Sequence, residues 1–357
     1  MTVRARASLL TYTLPQGVGG SGVATVDVII VDLIDAEGAR GLGFSYVLGG
    51  NGGVAFKAAQ DQVARFIEGQ TLAPPQALWR KIAASFNRTG AGPNLIALAA
   101  IDVAAWDLEA QRRRIPLGVA MGGELRAVPV YGSGGFNTVQ PAEQAADVAA
   151  EQAARGLTAV KPRVNGARSD ADVIAAIRAV IPDHVHVMAV ANEKCDLPQA
   201  LWLMALARDH GVLFVEEPLP ALAIEGYRML AASAGAAIAT GEHLQTRASF
   251  LPFLSERIAA VIQPDLAMVG GLTPVLELAT LAKAFNAVVS PHFLPGLFAQ
   301  VAAAAPSIRW LEEFPLLEPL FDGWSAIDKA GALKASSMSG HGLTLNERYR
   351  REIGYAF

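Results

Sequence analysis

Cysteine is nearly absent from this chain: Cys195 stands alone among 357 residues. No internal disulfide can form, so a reducing cytoplasm is the expected compartment. The lone thiol has no histidine partner in its own motif and reads as structural. Charge is also sparse, at 17% of residues with a net value of −4. That leaves no basic footprint for nucleic acid and no polybasic patch for a membrane surface. Long apolar runs are lacking too. The most hydrophobic stretch, "LIALAAIDVAAWDLEA", is broken by Asp102 and Asp107 and reads as a buried helix, not a membrane span. The opening "MTVRARASLLTYTLPQG" is too weakly apolar for a signal peptide. The glycine-rich "VLGGNGGVAFK" lacks the Gly-Lys-Ser/Thr ending of a phosphate loop and reads as a flexible lid.

What remains is 52% hydrophobic, with a mean hydropathy of +0.32, as befits a compact globular protein with a sizeable core. From residue 127 one pattern repeats: a short apolar run, then a longer Ala/Leu-rich amphipathic stretch. The runs are "AVPVYGSG", "AVKPRV", "VHVMAV", "LFVEEP", "AIATGEH", "AVIQPD", "AVVSPHF" and "IRWLEEF". Eight strands with helical crossovers of even length spell a parallel α/β barrel over 126–314. A doubly wound open sheet is the alternative, disfavoured by the missing dinucleotide turn. Residues 1–125 differ. Two strands of a meander flank "DAEGARG" and three helical segments follow, the last over about 93–114, which reads as an α+β capping domain. The tail 315–357 carries no further repeat and is expected to pack back on that domain.

Polar and ionisable residues gather where the barrel strands end, the face that carries active sites in such barrels. The ends hold Lys161 and Arg163, Asn192, Glu216 and Glu217, Glu242 and His243, Gln263 and Asp265, His292, and Glu312 and Glu313. Side chains alternate with period two, so Lys161 and Arg163 share a face, as do Val190 and Asn192. Glu217 and Glu313 have the opposite parity and read as ion-paired with the helix layer. His184 and His186 read as structural, His243 as a supporting residue, and Asp196 as a helix N-cap.

The ordered set "AVKPR", "VANEK", "FVEEP", "TGEH", "IQPDLAMVGG", "SPHF" and "WLEEF", with "AAIDVAAWDLEAQRRRIPL" and "MGG" upstream, resembles the enolase superfamily. Within it, the mandelate racemase/muconate lactonizing enzyme-like branch is the nearer match. The resemblance implies a modified TIM barrel of (β/α)7β type under an N-terminal α+β cap. It also implies Mg²⁺ on three strand-end carboxylates and removal of a proton next to a substrate carboxylate. On this chain the implied metal residues are Glu216 and Glu242. His292 falls on the family's general base with Asp265 as its partner. Lys161 falls where the substrate carboxylate is neutralised, and Glu312 where an acid bonds the same group. Mg²⁺ is hard and takes oxygen ligands. A dication stabilises the charge that develops on the enolate.

Two positions depart from the family pattern. Where its first metal aspartate would stand is Val190, which cannot ligate. Asn192, through its carbonyl, or Glu193, swinging in from the loop, could replace it, and the Mg²⁺ site is expected to be weak or empty. Arg163 stands where a second lysine often acts as a base; a guanidinium clamps carboxylates and is a poor proton acceptor. One-sided chemistry on His292 follows, such as dehydration of a sugar acid or related hydroxy acid. The alternatives are a degenerate member that binds a small anion, a racemase or epimerase, and a Schiff-base lyase on Lys161. The expected partner is a small carboxylate, neither nucleic acid nor membrane, with the chains assembled as a homo-oligomer. Specificity would lie in the capping segments 14–22 and 46–53.

Overall fold

The computed structural model describes residues 2–15, 22–233 and 235–354. The chain opens with three long antiparallel strands in the order β1 (Val3–Thr13), β2 (Thr25–Asp35) and β3 (Arg40–Leu48). The sequence reading finds β2 and β3 and misses β1. Its Ala and Arg content offers little β-propensity; pairing along its whole length with β2, from Val3 opposite Asp35 to Thr13 opposite Thr25, makes it a strand. Three helices follow, Gly52–Phe66, Pro75–Ala83 and Gly92–Arg113. The last lies directly on β3, where side chains are not tolerated: a Cβ on Gly43 would come within 2.0 Å of the Ala100 carbonyl oxygen.

The two aspartates that interrupt this apolar helix are buried and act as ties. Asp102 accepts from the Thr273 backbone N–H at 2.8 Å and from its hydroxyl at 2.7 Å. Burial foremost pushes its carboxyl up to about 7, against those hydrogen bonds. Asp107 accepts from the backbone N–H groups of Leu42 and His341, each at 2.9 Å.

The barrel is built from β4 (Ala127–Gly132), β5 (Ala159–Val160), β6 (His186–Val187), β7 (Ala189–Val190), β8 (Val215–Glu216), β9 (Ile238–Thr240), β10 (Val261–Ile262), β11 (Val288–Val289) and β12 (Leu311–Glu313). Segments β6 and β7 are one strand interrupted at Met188, so the strands number eight, as the sequence pattern requires. They run parallel in the orders β12-β4-β5-β6 and β11-β10-β9-β8-β7. Bridges Arg163–Val190 and Val289–Ile308 join the two sets and close the barrel. In the tail, β13 (Phe321–Asp322) pairs with β15 (Thr344–Leu345), while β14 (Ala332–Lys334) runs antiparallel to the start of β4. The Phe321 ring packs on Phe44 of β3 with centroids 4.5 Å apart.

The glycine-rich stretch is not a free lid. Residues 46–48 belong to β3, and Gly52 opens a helix with its N–H on Asp27 Oδ2 at 2.9 Å. Of the segment 14–22, residues 16–21 lie outside the described residues. Asp196 caps its helix as read, with Gln199 completing a reciprocal capping box.

Candidate active site

A plug of Tyr131, Ala159, Met188, Phe214, Ala239 and Val261, with Val288 and Trp310 against it, fills the barrel. Two residues further along the same strands, period two sets the next inward ring: Lys161, Val190, Glu216, Gln263, Ser290 and Glu312. A second step gives Arg163, Asn192, Asp265 and His292. Glu242 joins them out of phase, because Gly241, at φ 138°, turns the strand. A side chain there would meet the Phe250 ring at 2.6 Å.

The inner ring is an ion cluster. Lys161 is 1% exposed and its ammonium lies 2.5 Å from Glu216 Oε2 and 2.7 Å from Glu312 Oε1. Burial works against its charge, but the two carboxylates prevail and hold the amine well above the usual lysine range. The Gln263 amide also donates to Glu216 Oε2, at 2.5 Å, while Glu216 Oε1 is buried without a donor. Burial, with Glu242 close by, lifts the Glu216 carboxyl to about 7 against the pull of Lys161. Glu312 accepts the Phe293 N–H at 3.1 Å; burial raises its pKa, but Lys161 and His292 prevail and bring it to about 2. Val190 sits in this ring, 2% exposed, and belongs to none of the three apolar clusters. It is a valine buried among charges.

The outer ring holds a relay. Tyr46, on strand β3 of the cap, donates to Asp265 Oδ2 at 2.6 Å. The same oxygen lies 2.7 Å from His292 Nδ1, and His292 Nε2 is 3.5 Å from Glu242 Oε2. Burial disfavours the imidazolium, yet Glu242 and Asp265 outweigh it and push His292 up to about 10. Asp265 also caps the short helix after it, accepting from Ala267 and Met268 at 2.9 Å each, which fixes its orientation. Asn192 accepts from Arg163 through its side-chain oxygen and donates to Glu242 Oε1 at 3.1 Å. Its carbonyl, one of the two candidates to replace the missing aspartate, is therefore turned to the guanidinium.

The structure thus brings Lys161, Arg163, Asn192, Glu216, Glu242, Asp265, His292 and Glu312 to one mouth. Against it lies a cavity of about 240 Å³ walled by Tyr46, Val47, Leu48 and Ile96 on the cap side. Sequence reasoning places Tyr46 only within the capping segment 46–53 and misses its bond to Asp265. Glu313 does pair with the helix layer, through Arg155. Glu217 does not: it is fully buried and meets His243 Nδ1 at 2.7 Å. Its left-handed φ of 42° turns the chain at the strand end and overrides the parity read from the sequence. His186 packs edge-on against Trp310, consistent with a structural role. Among the described residues no helix is long and apolar enough to cross a membrane.

Fold and mouth together define a class. Residues 1–122 match the mandelate racemase / muconate lactonizing enzyme N-terminal domain, and residues 143–349 the enolase C-terminal domain-like family. The chain belongs to this branch of the enolase superfamily. It is 29% identical over 331 residues to the L-talarate/galactarate dehydratase of Salmonella typhimurium, covering 91% of this chain and 82% of that one. To the 3,6-anhydro-alpha-L-galactonate cycloisomerase of Streptomyces coelicolor it is 27% identical over 355 residues, 97% of each. The crystal structure of an L-talarate dehydratase from Polaromonas, complexed with Mg and L-glucarate, superposes with a TM-score of 0.89. That pair is 31% identical, with 98% of this chain and 97% of the other covered.

Proposed function

We propose that this protein is a lyase that removes the proton α to a carboxylate and dehydrates a sugar acid or related hydroxy acid. The observation that carries the reading is the relay Tyr46–Asp265–His292, which leaves His292 Nε2 facing the cavity beside Glu242. Asp265 fixes the ring orientation. Once its ring is neutral, His292 Nε2 takes the α-proton as an electron pair moves onto the substrate carboxylate. It then returns that proton to the β-hydroxyl, which leaves as water, and the enol formed tautomerises to a 2-keto acid. We assign Lys161 and Arg163 the positive charge that would meet an anionic substrate, and Glu312 fixes Lys161. The relatives with dehydratase names support the substrate class.

The donor set fits Mg²⁺: Glu216 Oε1 is a buried oxygen without a partner and Glu242 is a second carboxylate next to it. We assign these two as its holders, with Asn192 contributing only if its amide turns from Arg163. When bound, the ion stabilises the charge developing on the substrate carboxylate.

A racemase needs a second base on the opposite face, where Arg163 is a guanidinium bonded to Asn192. A Schiff-base lyase needs a neutral amine, and Lys161 is held charged between two glutamates. The anion-binder reading draws on the two departures, Val190 and Arg163, while the His292–Asp265 pair and both glutamates are retained. The test is His292→Asn with candidate sugar acids in deuterated buffer: α-proton exchange is expected to vanish while binding persists. Undiminished exchange in that variant would remove His292 as the base.

A further inference from the structure

One residue beyond Asn192, Glu216 and Glu242 stand Glu193, Glu217 and His243, and a ligand atom of each lies within 4.8 Å of the others. We propose that these three form a divalent-cation site of their own, distinct from the Glu216–Glu242 pair and suited to a borderline transition ion such as Zn²⁺. The proposal goes beyond the dehydratase reading and stands whether or not the chain dehydrates anything.

Spacing supports it first. His243 Nδ1 is 2.7 Å from Glu217 Oε2, 3.9 Å from Glu193 Oε1 and 3.8 Å from Glu242 Oε1. An ion with nitrogen and oxygen ligands at about 2.0–2.2 Å sets those atoms roughly 3–4 Å apart. Glu217 supplies a second, independent observation. It is fully buried in the cluster, and its Oε1 has no donor. Leaving a buried carboxylate oxygen unsatisfied is costly, and a cation would satisfy it. Glu193 is aimed rather than free, since its Oε1 accepts the Ala221 N–H. Among the described residues, His243 is the one cationic side chain paired with Glu193 or Glu217, and Glu242 of the inner pair stands 3.8 Å from it.

Ligand chemistry chooses the ion. An imidazole with carboxylates suits Zn²⁺ and its neighbours better than Mg²⁺, which favours oxygen alone. Access is open, as the His243 side chain is 46% exposed and the Glu193 side chain 31%. His243 also lines the cavity that His292 faces, so an ion held there borders the substrate space.

The test is calorimetric titration of the full chain with ZnCl₂ in saturating MgCl₂, which keeps the inner pair occupied. One equivalent is expected to bind with a Kd of about 1 µM or tighter. His243→Ala and Glu193→Gln, both at part-exposed positions and checked for native melting, are each expected to weaken binding at least tenfold. Glu216→Gln is expected to leave it within threefold, and anomalous diffraction at the zinc edge to place the ion among the three residues. No binding by the parent chain, unchanged affinity in both outer variants, or loss in Glu216→Gln alone would overturn the proposal. Proton exchange under Mg²⁺ alone reports separately on the dehydratase reading.

Discussion

Val190 and Glu216 are register partners on adjacent parallel strands, so an isopropyl group and a carboxylate stand side by side in the ring above the barrel plug. The neighbouring charge explains what restoring an acid would do. Val190→Asp places a further carboxylate beside Glu216 and Glu242. At an effective dielectric near 20, a unit charge pair at about 4 Å is worth about 4 kcal/mol, doubled for a dication and largely offset by desolvation. A gain in Mg²⁺ affinity of at least about tenfold, ~1.4 kcal/mol, is expected by calorimetry. Without Mg²⁺ the variant should melt below the parent. A variant that gains no affinity would count against a metal at the inner pair.

Lys161 neutralises two buried glutamates at once, which gives it a structural weight separate from any role in chemistry. Lys161→Met leaves Glu216 and Glu312 without a cation, and breaking such a buried pair costs about 3–5 kcal/mol. Urea denaturation at pH 8 should show that loss. At pH 5 it should shrink, because the unpaired carboxyls can then take up protons. An equal loss at both values would mean that packing, not charge, is what Lys161 supplies.

The pH dependence of folding carries a signature of His292, whose pKa is raised to about 10 by Glu242 and Asp265 in spite of burial. A raised histidine pKa stabilises the fold fully below its unfolded value, about 6.5, and the contribution is lost as pH rises through 10. Stability without added metal is therefore expected to fall between pH 6.5 and pH 10. In His292→Asn the slope over this window should be shallower, by denaturant titration at several pH values. Parallel slopes in the two proteins would contradict the raised value.

Tyr46 tunes the relay from the cap. Its hydroxyl donates to the Asp265 oxygen that also holds His292. Tyr46→Phe removes a hydrogen bond to a charged group, worth about 1.5–3 kcal/mol. Asp265 then holds the imidazolium more tightly, so the rise of α-proton exchange with pH should move to higher pH. An unshifted profile would restrict Tyr46 to packing.

Much of the mouth was legible in the sequence because period two converts a strand-end motif into a list of inward residues. Lys161, Glu216, Asp265, His292 and Glu312 all follow from it. What escaped is what local periodicity cannot encode. Tyr46 reaches Asp265 across 219 residues, and no motif near Tyr46 announces that contact. Parity gives Glu217 the wrong partner because the residue adopts a positive φ, 42°, at a strand end where parity ceases to hold. Glu193, at 61°, reads in the sequence only as a substitute ligand swinging in from the loop. Strand β1 escaped because its alternating residues are Ala and Arg, and only the partner strand makes them β.

Asp107 bears on the order in which the molecule can be finished. It accepts from Leu42, 65 residues before it, and from His341, 234 residues after it. During synthesis, the first of these bonds can form once the long cap helix has emerged, but the second must wait for the whole barrel and much of the tail. Until then a buried carboxylate oxygen lacks its intended donor, which is costly in an apolar setting. The part of the chain made first is thus among the last to be fully bonded, and a nascent chain stalled before residue 341 would carry an incompletely locked cap.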